Sequence, residues 1–261
     1  MIIATFNANS IRSRIDIVRD WLERHQPDVL CLQETKVTDN PFPETAFTEM
    51  GYHAIFRGQK SYNGVATLSR RPPDEVRTGF DDGGPADEPR LLRTRFGGLW
   101  ILNTYVPQGR EIAHEMYGYK LEWLSRIRRL LERDHSPDAP VIWTGDLNVA
   151  RNPEDVYDSA SKRNHVCHHA DVRAAFEQVL SWGLTDVFRR FHPEPGQYTF
   201  YDYRAPGALQ RNRGWRIDYI LATALLARKA RDCYIDLEPR LAPKPSDHTF
   251  LSAEFDVPLG L

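Results

Sequence analysis

The chain is poor in cysteine: Cys31, Cys167 and Cys233 are an odd number among 261 residues and include no CxxC pair. A disulfide framework is thereby excluded as an organising device, and a reducing compartment, the cytoplasm, is the expected location. Long apolar runs are also missing. Residues 1–14 hold only a brief apolar stretch before polar and charged side chains take over, so they read neither as a signal peptide nor as a membrane span. Surplus positive charge is absent too: the formal net charge is −2 and the pI near 6.5. A chain that binds a polyanion over its whole surface is therefore ruled out, and any such surface must be local. Lysine occurs only at positions 36, 60, 120, 162, 229 and 244, so the basic residues are mostly arginine, whose planar fork suits bidentate phosphate contacts. There is no repeat of fixed short period and no low-complexity tract.

What is present is an ordinary globular composition, with 41% hydrophobic and 27% charged residues. The length fits one α/β domain spanning residues 1–261. Apolar runs predict strands over 2–6, 28–32, 52–56, 65–69, 91–96, 100–105, 141–144, 217–222, 233–237 and 251–256. Helical spacing of Ile11, Ile15, Val18 and Leu22 predicts a helix over 11–25. A longer helix over 113–133 carries Leu121, Leu124, Ile127 and Leu131 on one stripe, and a third spans 171–182. Strands outnumber helices without strict alternation, which favours sheets packed face to face over one doubly wound sheet. Two stretches, 81–89 and 205–214, are rich in turn residues and read as loops.

Chemistry-bearing residues fall where predicted strands run out. They are Asn7 in Phe6-Asn7-Ala8-Asn9, Glu34 in Gln33-Glu34-Thr35-Lys36, Tyr105 in Tyr105-Val106-Pro107-Gln108-Gly109, Asp146 and Asn148 in Gly145-Asp146-Leu147-Asn148, Asp218 in Arg216-Ile217-Asp218, and Asp247 with His248 after Ser246. Each motif alone reads as a cap or a solvated surface group. Together they form a set of carboxylate and amide oxygens, hard donors that suit Mg²⁺ or Mn²⁺ better than a thiolate-type zinc site would. Phosphodiester hydrolysis needs such a set, because charge on the reacting oxygens must be offset and a water activated.

In this order, the motifs closely resemble exonuclease III and the class II abasic-site endonucleases of the endonuclease/exonuclease/phosphatase superfamily. The run Asn212-Arg213-Gly214-Trp215-Arg216-Ile217-Asp218-Tyr219 and the run Tyr105 to Gly109 narrow it to that DNA-repair branch. The resemblance implies a four-layered α/β sandwich of two mixed β-sheets flanked by helices, with the site at one edge. It implies Mg²⁺, with Mn²⁺ as a substitute, held mainly by Glu34 and supported by Asn7 and Asp247. It also implies that Asp146 orients or deprotonates the attacking water, that Asn148 holds phosphate or water beside it, and that Asp218 aims His248 at a phosphate oxygen. Tyr105 would reach the phosphate through its hydroxyl. The implied activities are incision 5′ to abasic sites and trimming of 3′ ends of double-stranded DNA, by a monomer without membrane contact.

Contacts to DNA are expected from Lys36, Asn63, Arg110, Arg213 and Arg216, with Arg12, Arg14, Arg57, Lys60, Arg204 and Arg211 as further phosphate-binding candidates. Arg126, Arg128 and Arg129 read as solvated on the polar face of the long helix. Phe200 and Trp215 match positions that line the slot for a baseless sugar in related enzymes, a slot that rejects intact nucleotides by size. Tyr201 stands where relatives often have tryptophan. The segment His165-Val166-Cys167-His168-His169 invites a zinc reading, but its spacing fits no defensible pattern and it reads as a solvated loop. Two other classes share part of the pattern. A phosphoesterase acting on inositol-phosphate or lipid headgroups would use the same acids, against which stand the arginine-rich run at 212–218 and the lack of an amphipathic docking segment. A DNA-binding module that had lost its chemistry should lack site groups, and none is missing.

Overall fold

The computed structural model describes residues 1–85 and 88–260. In chain order the elements are β1 (Ile2–Asn7), α1 (Ile11–His25), β2 (Val29–Gln33), α2 (Thr45–Thr48), β3 (His53–Arg57), β4 (Val65–Ser69), β5 (Glu75–Thr78), β6 (Leu91–Phe96) and β7 (Leu99–Tyr105). There follow α3 (Glu115–Asp134), β8 (Val141–Asp146), α4 (Ser159–Lys162), α5 (Ala170–Leu180), β9 (Leu184–Asp186), α6 (Val187–Phe191), β10 (Asp218–Thr223), α7 (Ala224–Ala227), β11 (Ala230–Asp236) and β12 (Phe250–Phe255). The strands form two six-stranded sheets, ordered β11-β12-β1-β2-β4-β3 and β5-β6-β7-β8-β10-β9. Both are mixed: β1 runs parallel to β2 and β7 parallel to β8, while their other neighbours are antiparallel. The expected sandwich of two mixed sheets flanked by helices is the fold observed.

Side-chain alternation builds the layers. Ile3, Val29, Cys31 and Leu251 of the first sheet meet Ile101, Ile142 and Ile220 of the second in one apolar cluster between the sheets. The opposite face of the first sheet, with Ala4, Phe6, Leu30 and Leu32, packs under Val18, Trp21 and Leu22 of α1. Trp21, Phe250 and Phe6 stack there as a column, with ring centroids 4.3 and 4.0 Å apart. The outer face of the second sheet, with Leu102, Trp143 and Leu221, packs under Trp123, Leu124 and Ile127 of α3 and Phe176 of α5. Among the described residues no helix is long and apolar enough to cross a membrane.

Every strand and helix expected from periodicity is present within a few residues of its expected bounds. β5 and β9 were not expected, because one is an exposed edge strand with a single apolar residue and the other has three residues. α2, α4, α6 and α7 span five residues or fewer, too short for a 3.6-residue period to register. Of the loop expected over 81–89, residues 86 and 87 lie outside the described residues. The stripe on α3 is displaced: Leu121 is only half-buried, whereas Lys120 and Arg126 are buried. Arg126, expected in solvent, bonds both oxygens of Asp82 at 2.8 and 2.7 Å and lies 4.1 Å from the centroid of the Phe80 ring. A guanidinium whose charge is met this way can sit among apolar groups.

Phe250 joins the stacked column to the first sheet, so Phe250→Ala should cost about 3–5 kcal/mol. In a chain of this size that lowers Tm by about 6–20 °C, measurable by calorimetry.

Candidate active site

Strand register brings the predicted residues to one edge of the sandwich. Asn7 pairs with Gln33, the residue before Glu34; Tyr105 and Asp218 both pair with Asp146. Gly145, with φ +132°, is required beside Asp146, because a Cβ there would lie 2.0 Å from the carbonyl oxygen of Thr104 on the neighbouring strand. Behind the edge a buried polar chain crosses between the sheets: Gln33 Nε2 donates to Asn103 Oδ1 at 2.8 Å, and Asn103 Nδ2 donates to the Ala66 carbonyl at 2.8 Å. Glu34 and Asn148, just beyond the ends of their strands, occupy left-handed backbone at φ +49° and +52°.

Asn7 is the hinge of the cluster. Its Nδ2 donates to Glu34 Oε1 and to Asp146 Oδ2, both at 2.8 Å, while its Oδ1 accepts the Asn9 N–H at 2.9 Å. The amide thus bridges two carboxylates instead of presenting its oxygen beside Glu34. Asp146 Oδ1 accepts the Asn148 N–H at 3.0 Å. His248 Nδ1 bonds Asp218 Oδ2 at 2.8 Å, and its Nε2 lies 3.6 Å from Asp146 Oδ2. Ser246 Oγ donates to the Asn7 carbonyl at 2.7 Å and accepts the His248 N–H at 3.2 Å, fixing the loop that carries Asp247 and His248. Lys36 Nζ stands 2.9 Å from Glu34 Oε2.

Two neighbours were missed. Asn9 Nδ2 donates to Asp247 Oδ1 at 2.9 Å, and its Oδ1 takes a bond from Lys36, so it ties the Asp247 loop to Lys36. Its place two residues after Asn7 was a visible signal. Arg90 lies 4.8 Å from the centroid of the Tyr105 ring and donates to the Tyr105 carbonyl at 3.3 Å; nothing in its sequence context marks it.

Burial disfavours charge on His248, but Asp218 and Asp146 more than offset it and push the imidazole up to about 10, so it is protonated at neutral pH. Asp146 is pushed up to about 7 by burial, with His248 pulling it down and the Asp218 and Glu34 charges pushing it further up. Burial opposes the Glu34 charge as well, yet Lys36 and the Asn7 donor hold it below its usual value. Burial, Glu34 and Asp146 raise the Tyr105 hydroxyl well above the ordinary range.

Asp146, Asp218 and His248 present ligand atoms within 4.8 Å of one another, a grouping that could hold a metal ion. The hydrogen bond between His248 and Asp218 and the positive charge of the ring make this trio better suited to holding a proton. Glu34 and Asp247 offer further carboxylate oxygens in the same cleft, and beside burial the Asp218 and Glu34 charges help to raise Asp146. A hard divalent cation on the Glu34 side fits both observations.

Glu34, Tyr105, Asp146, Asn148, Asp247 and His248 line a cleft of about 690 Å³. Phe200 and Trp215 form its wall through a reciprocal pair of backbone bonds at 2.9 Å, and Phe200 lies 4.9 Å from the His248 ring. Gly214 lets this wall close up, since a Cβ there would come within 2.6 Å of Tyr198 Cβ. Tyr201 is buried behind it and donates through its hydroxyl to Asn212 Oδ1 at 2.8 Å. The segment 165–169 is packed, not solvated. His165 lies against Trp215 at 4.5 Å, Cys167 is buried in the cleft floor, His168 bonds the Ala150 carbonyl and Ser159, and His169 caps α5. Each ring or thiol has such a partner, and the segment forms no metal-capable grouping among the described residues.

The expected DNA contacts divide. Arg110 and Arg213 are exposed on the cleft and have no carboxylate partner among the described residues. Lys36 is engaged by Glu34. Asn63 is buried, and its carbonyl accepts the Lys36 N–H at 3.0 Å. Arg204 is chelated by both oxygens of Asp202 at 3.0 Å. Arg216 is a correction: it is fully buried, held at 2.7 Å by Asp155 and at 2.7 Å by Asp186, with its guanidinium 4.4 Å from the centroid of the Tyr219 ring. It cannot reach a phosphate. Its side chain follows Trp215, which faces the cleft, and alternation turns it inward.

A two-sheet sandwich with acids gathered at one edge defines a hydrolytic phosphoesterase of the nuclease class. The family model described as the endonuclease/exonuclease/phosphatase family matches residues 4–248. Exodeoxyribonuclease III of Haemophilus influenzae is 34% identical over 96% of this chain and 98% of its own length. An AP endonuclease structure from Archaeoglobus fulgidus superposes with a TM-score of 0.96 at 50% identity, covering 98% of this chain and all of that one. The 3′-5′ exonuclease NExo of Neisseria meningitidis gives a TM-score of 0.93 at 34% identity, with 98% and 100% coverage. The chain belongs to the endonuclease/exonuclease/phosphatase family, in its exonuclease III and abasic-site endonuclease branch.

Removing the Arg216 guanidinium strands Asp186 in the interior and leaves Asp155 to Arg189 alone, so Arg216→Met should cost about 3–5 kcal/mol in denaturant unfolding. It should leave the salt dependence of DNA binding unchanged; a shallower salt slope would return Arg216 to the phosphate contacts. The His248 ion pair stabilises fully below the ordinary imidazole value of 6.5 and is lost as pH rises through about 10. The stability gap between wild type and His248→Gln should therefore close from pH 7 to pH 10.5, and a constant gap across that range would contradict the pairing.

Proposed function

We propose that this chain is a metal-dependent DNA-repair nuclease that hydrolyses the phosphodiester 5′ to an abasic site and trims 3′ ends of double-stranded DNA, including 3′ phosphates. It acts as a single catalytic domain over residues 1–261, as a monomer in the cytoplasm. The observation that carries the reading is the Asn7 amide bridging Glu34 and Asp146 at 2.8 Å beside the Phe200–Trp215 wall. One contact sets a hard-oxygen ligand, a water-activating carboxylate and a size-limited slot next to one another.

Glu34, with Asp247 in support, would hold Mg²⁺ or Mn²⁺, while Asn7 fixes the Glu34 carboxylate through its amide N–H. Bound there, the ion supplies Lewis-acid offset of the charge on the phosphate oxygens. Asp146 takes the proton of the attacking water; with its carboxyl held near 7 it is matched to that task at neutral pH. Asn148 holds phosphate or water beside it. Protonated His248, oriented by Asp218, donates to a phosphate oxygen and stabilises the charge that builds there. Tyr105 stays protonated and contributes its hydroxyl as a second donor. The Phe200–Trp215 wall admits a baseless sugar and presents no edge that could read a base. Arg110 and Arg213 on the rim contact the backbone of the duplex.

Purified protein with Mg²⁺ should nick a duplex at a single abasic analogue and release phosphate from a 3′-phosphate end, and EDTA should abolish both. Glu34→Ala and Asp146→Asn should each lower kcat by about 10²–10⁴. An intact abasic duplex after incubation with Mg²⁺ or Mn²⁺ would reject the reading.

A further inference from the structure

The cleft rests on a side chain that the catalytic reading does not use. Lys120 lies in the middle of α3, fully buried, at a position where the helix stripe calls for an apolar residue. A buried ammonium is tolerated only where its donors are met. Here Nζ donates to the carbonyl oxygens of Asn148 at 2.6 Å, Val166 at 2.8 Å and Gln108 at 3.1 Å, three acceptors for three N–H groups. Those carbonyls belong to three separate segments: the one after Tyr105, the one after Asp146, and the one before α5. Gln108, Asn148, His165 and Cys167 on these segments line the cleft. Gly109, at φ +98°, keeps the space for the lysine stem, since a Cβ there would lie 3.2 Å from Lys120 Cδ.

The link to the chemistry runs through Asn148. Lys120 holds the carbonyl of a residue in left-handed backbone, and that conformation aims the Asn148 N–H at Asp146 Oδ1, 3.0 Å away. Burial disfavours the Lys120 charge, and the nearby Asp146 carboxylate acts against that effect. We propose that Lys120 is a positioning residue for phosphodiester hydrolysis: it clamps three cleft segments at their carbonyls and places a buried positive charge beneath the floor on which Asp146 and the phosphate sit. The inference rests on the nuclease reading above.

The test compares wild type with Lys120→Met, which keeps length and removes charge and donors, and with Lys120→Ala. Each is assayed on an abasic-analogue duplex with Mg²⁺, with Tm and metal-free DNA affinity measured alongside. Lys120→Met should lower kcat about 100-fold while KM and the metal-free Kd stay within about 3-fold. Propylammonium should restore part of the activity of Lys120→Ala, and 1-propanol, which fills the same space without charge, should not. Folded Lys120→Met with near-wild-type kcat, a loss confined to KM, or equal rescue by the alcohol would overturn the proposal. So would failure of both variants to fold, which would make Lys120 a stabilising strut alone. An inactive wild type would instead reject the nuclease reading itself, and this inference with it.

Discussion

The amide of Asn7 is the contact on which the arrangement of this edge depends. It sits at the end of a strand in one sheet and reaches Asp146, at the end of a strand in the other, while also bonding Glu34 beside it. Two carboxylates brought this close repel unless a donor or a cation lies between them. A bridging N–H₂ relieves the repulsion at fixed geometry, and its position is set by how the sheets pack. The apolar layer of Ile3, Val29, Ile101 and Ile142 between the sheets is therefore a condition of the chemistry as well as of stability. The polar chain from Gln33 to Asn103 adds directional bonds across the same interface, and apolar contact alone would supply none.

Around this bridge the charges are sorted by role. On one side Glu34 stays ionised with Lys36 close by; on the other the carboxyl of Asp146 is held near neutrality and His248 stays protonated above Asp218. Environment thus leaves one carboxylate ionised, one near neutrality and the imidazole charged within one cleft. Glu34 and Asn148 hold left-handed backbone at the two strand ends, strain tolerated because the surrounding bonds leave no alternative.

Much of this was legible in the sequence. Strand ends in a sandwich gather at its edges, so carboxylates and amides closing apolar runs were good candidates, and the run from Asn7 to His248 proved to be one cluster. What the sequence hid has a physical cause in each case. Arg216 and Arg213 stand three residues apart in one basic run, and only strand alternation after Trp215 decides that one turns into an ion network and the other to the rim. His165 and Cys167 carried no periodicity, so the loop holding them read as solvated, although Ala150 N–H bonds the Cys167 carbonyl and draws it under the cleft. Lys120 read as one more polar residue on an amphipathic helix, because its acceptors come from positions 12, 28 and 46 residues away.

Pairing also resolves the tension between a net charge of −2 and a polyanionic substrate. Much of the arginine is consumed internally: Arg93 by Asp134, Arg126 by Asp82, Arg189 and Arg216 by Asp155, Arg204 by Asp202. An arginine bound bidentately to a carboxylate has little left to offer a phosphate, because its forked donors are already satisfied. The field at the mouth of the cleft is set by the arginines with no carboxylate partner among the described residues, Arg110 and Arg213 among them. A near-neutral total thus coexists with a basic rim around an acidic floor. Exposed arginines above buried carboxylates give the cleft a charge gradient that favours a polyanion at its rim over its floor.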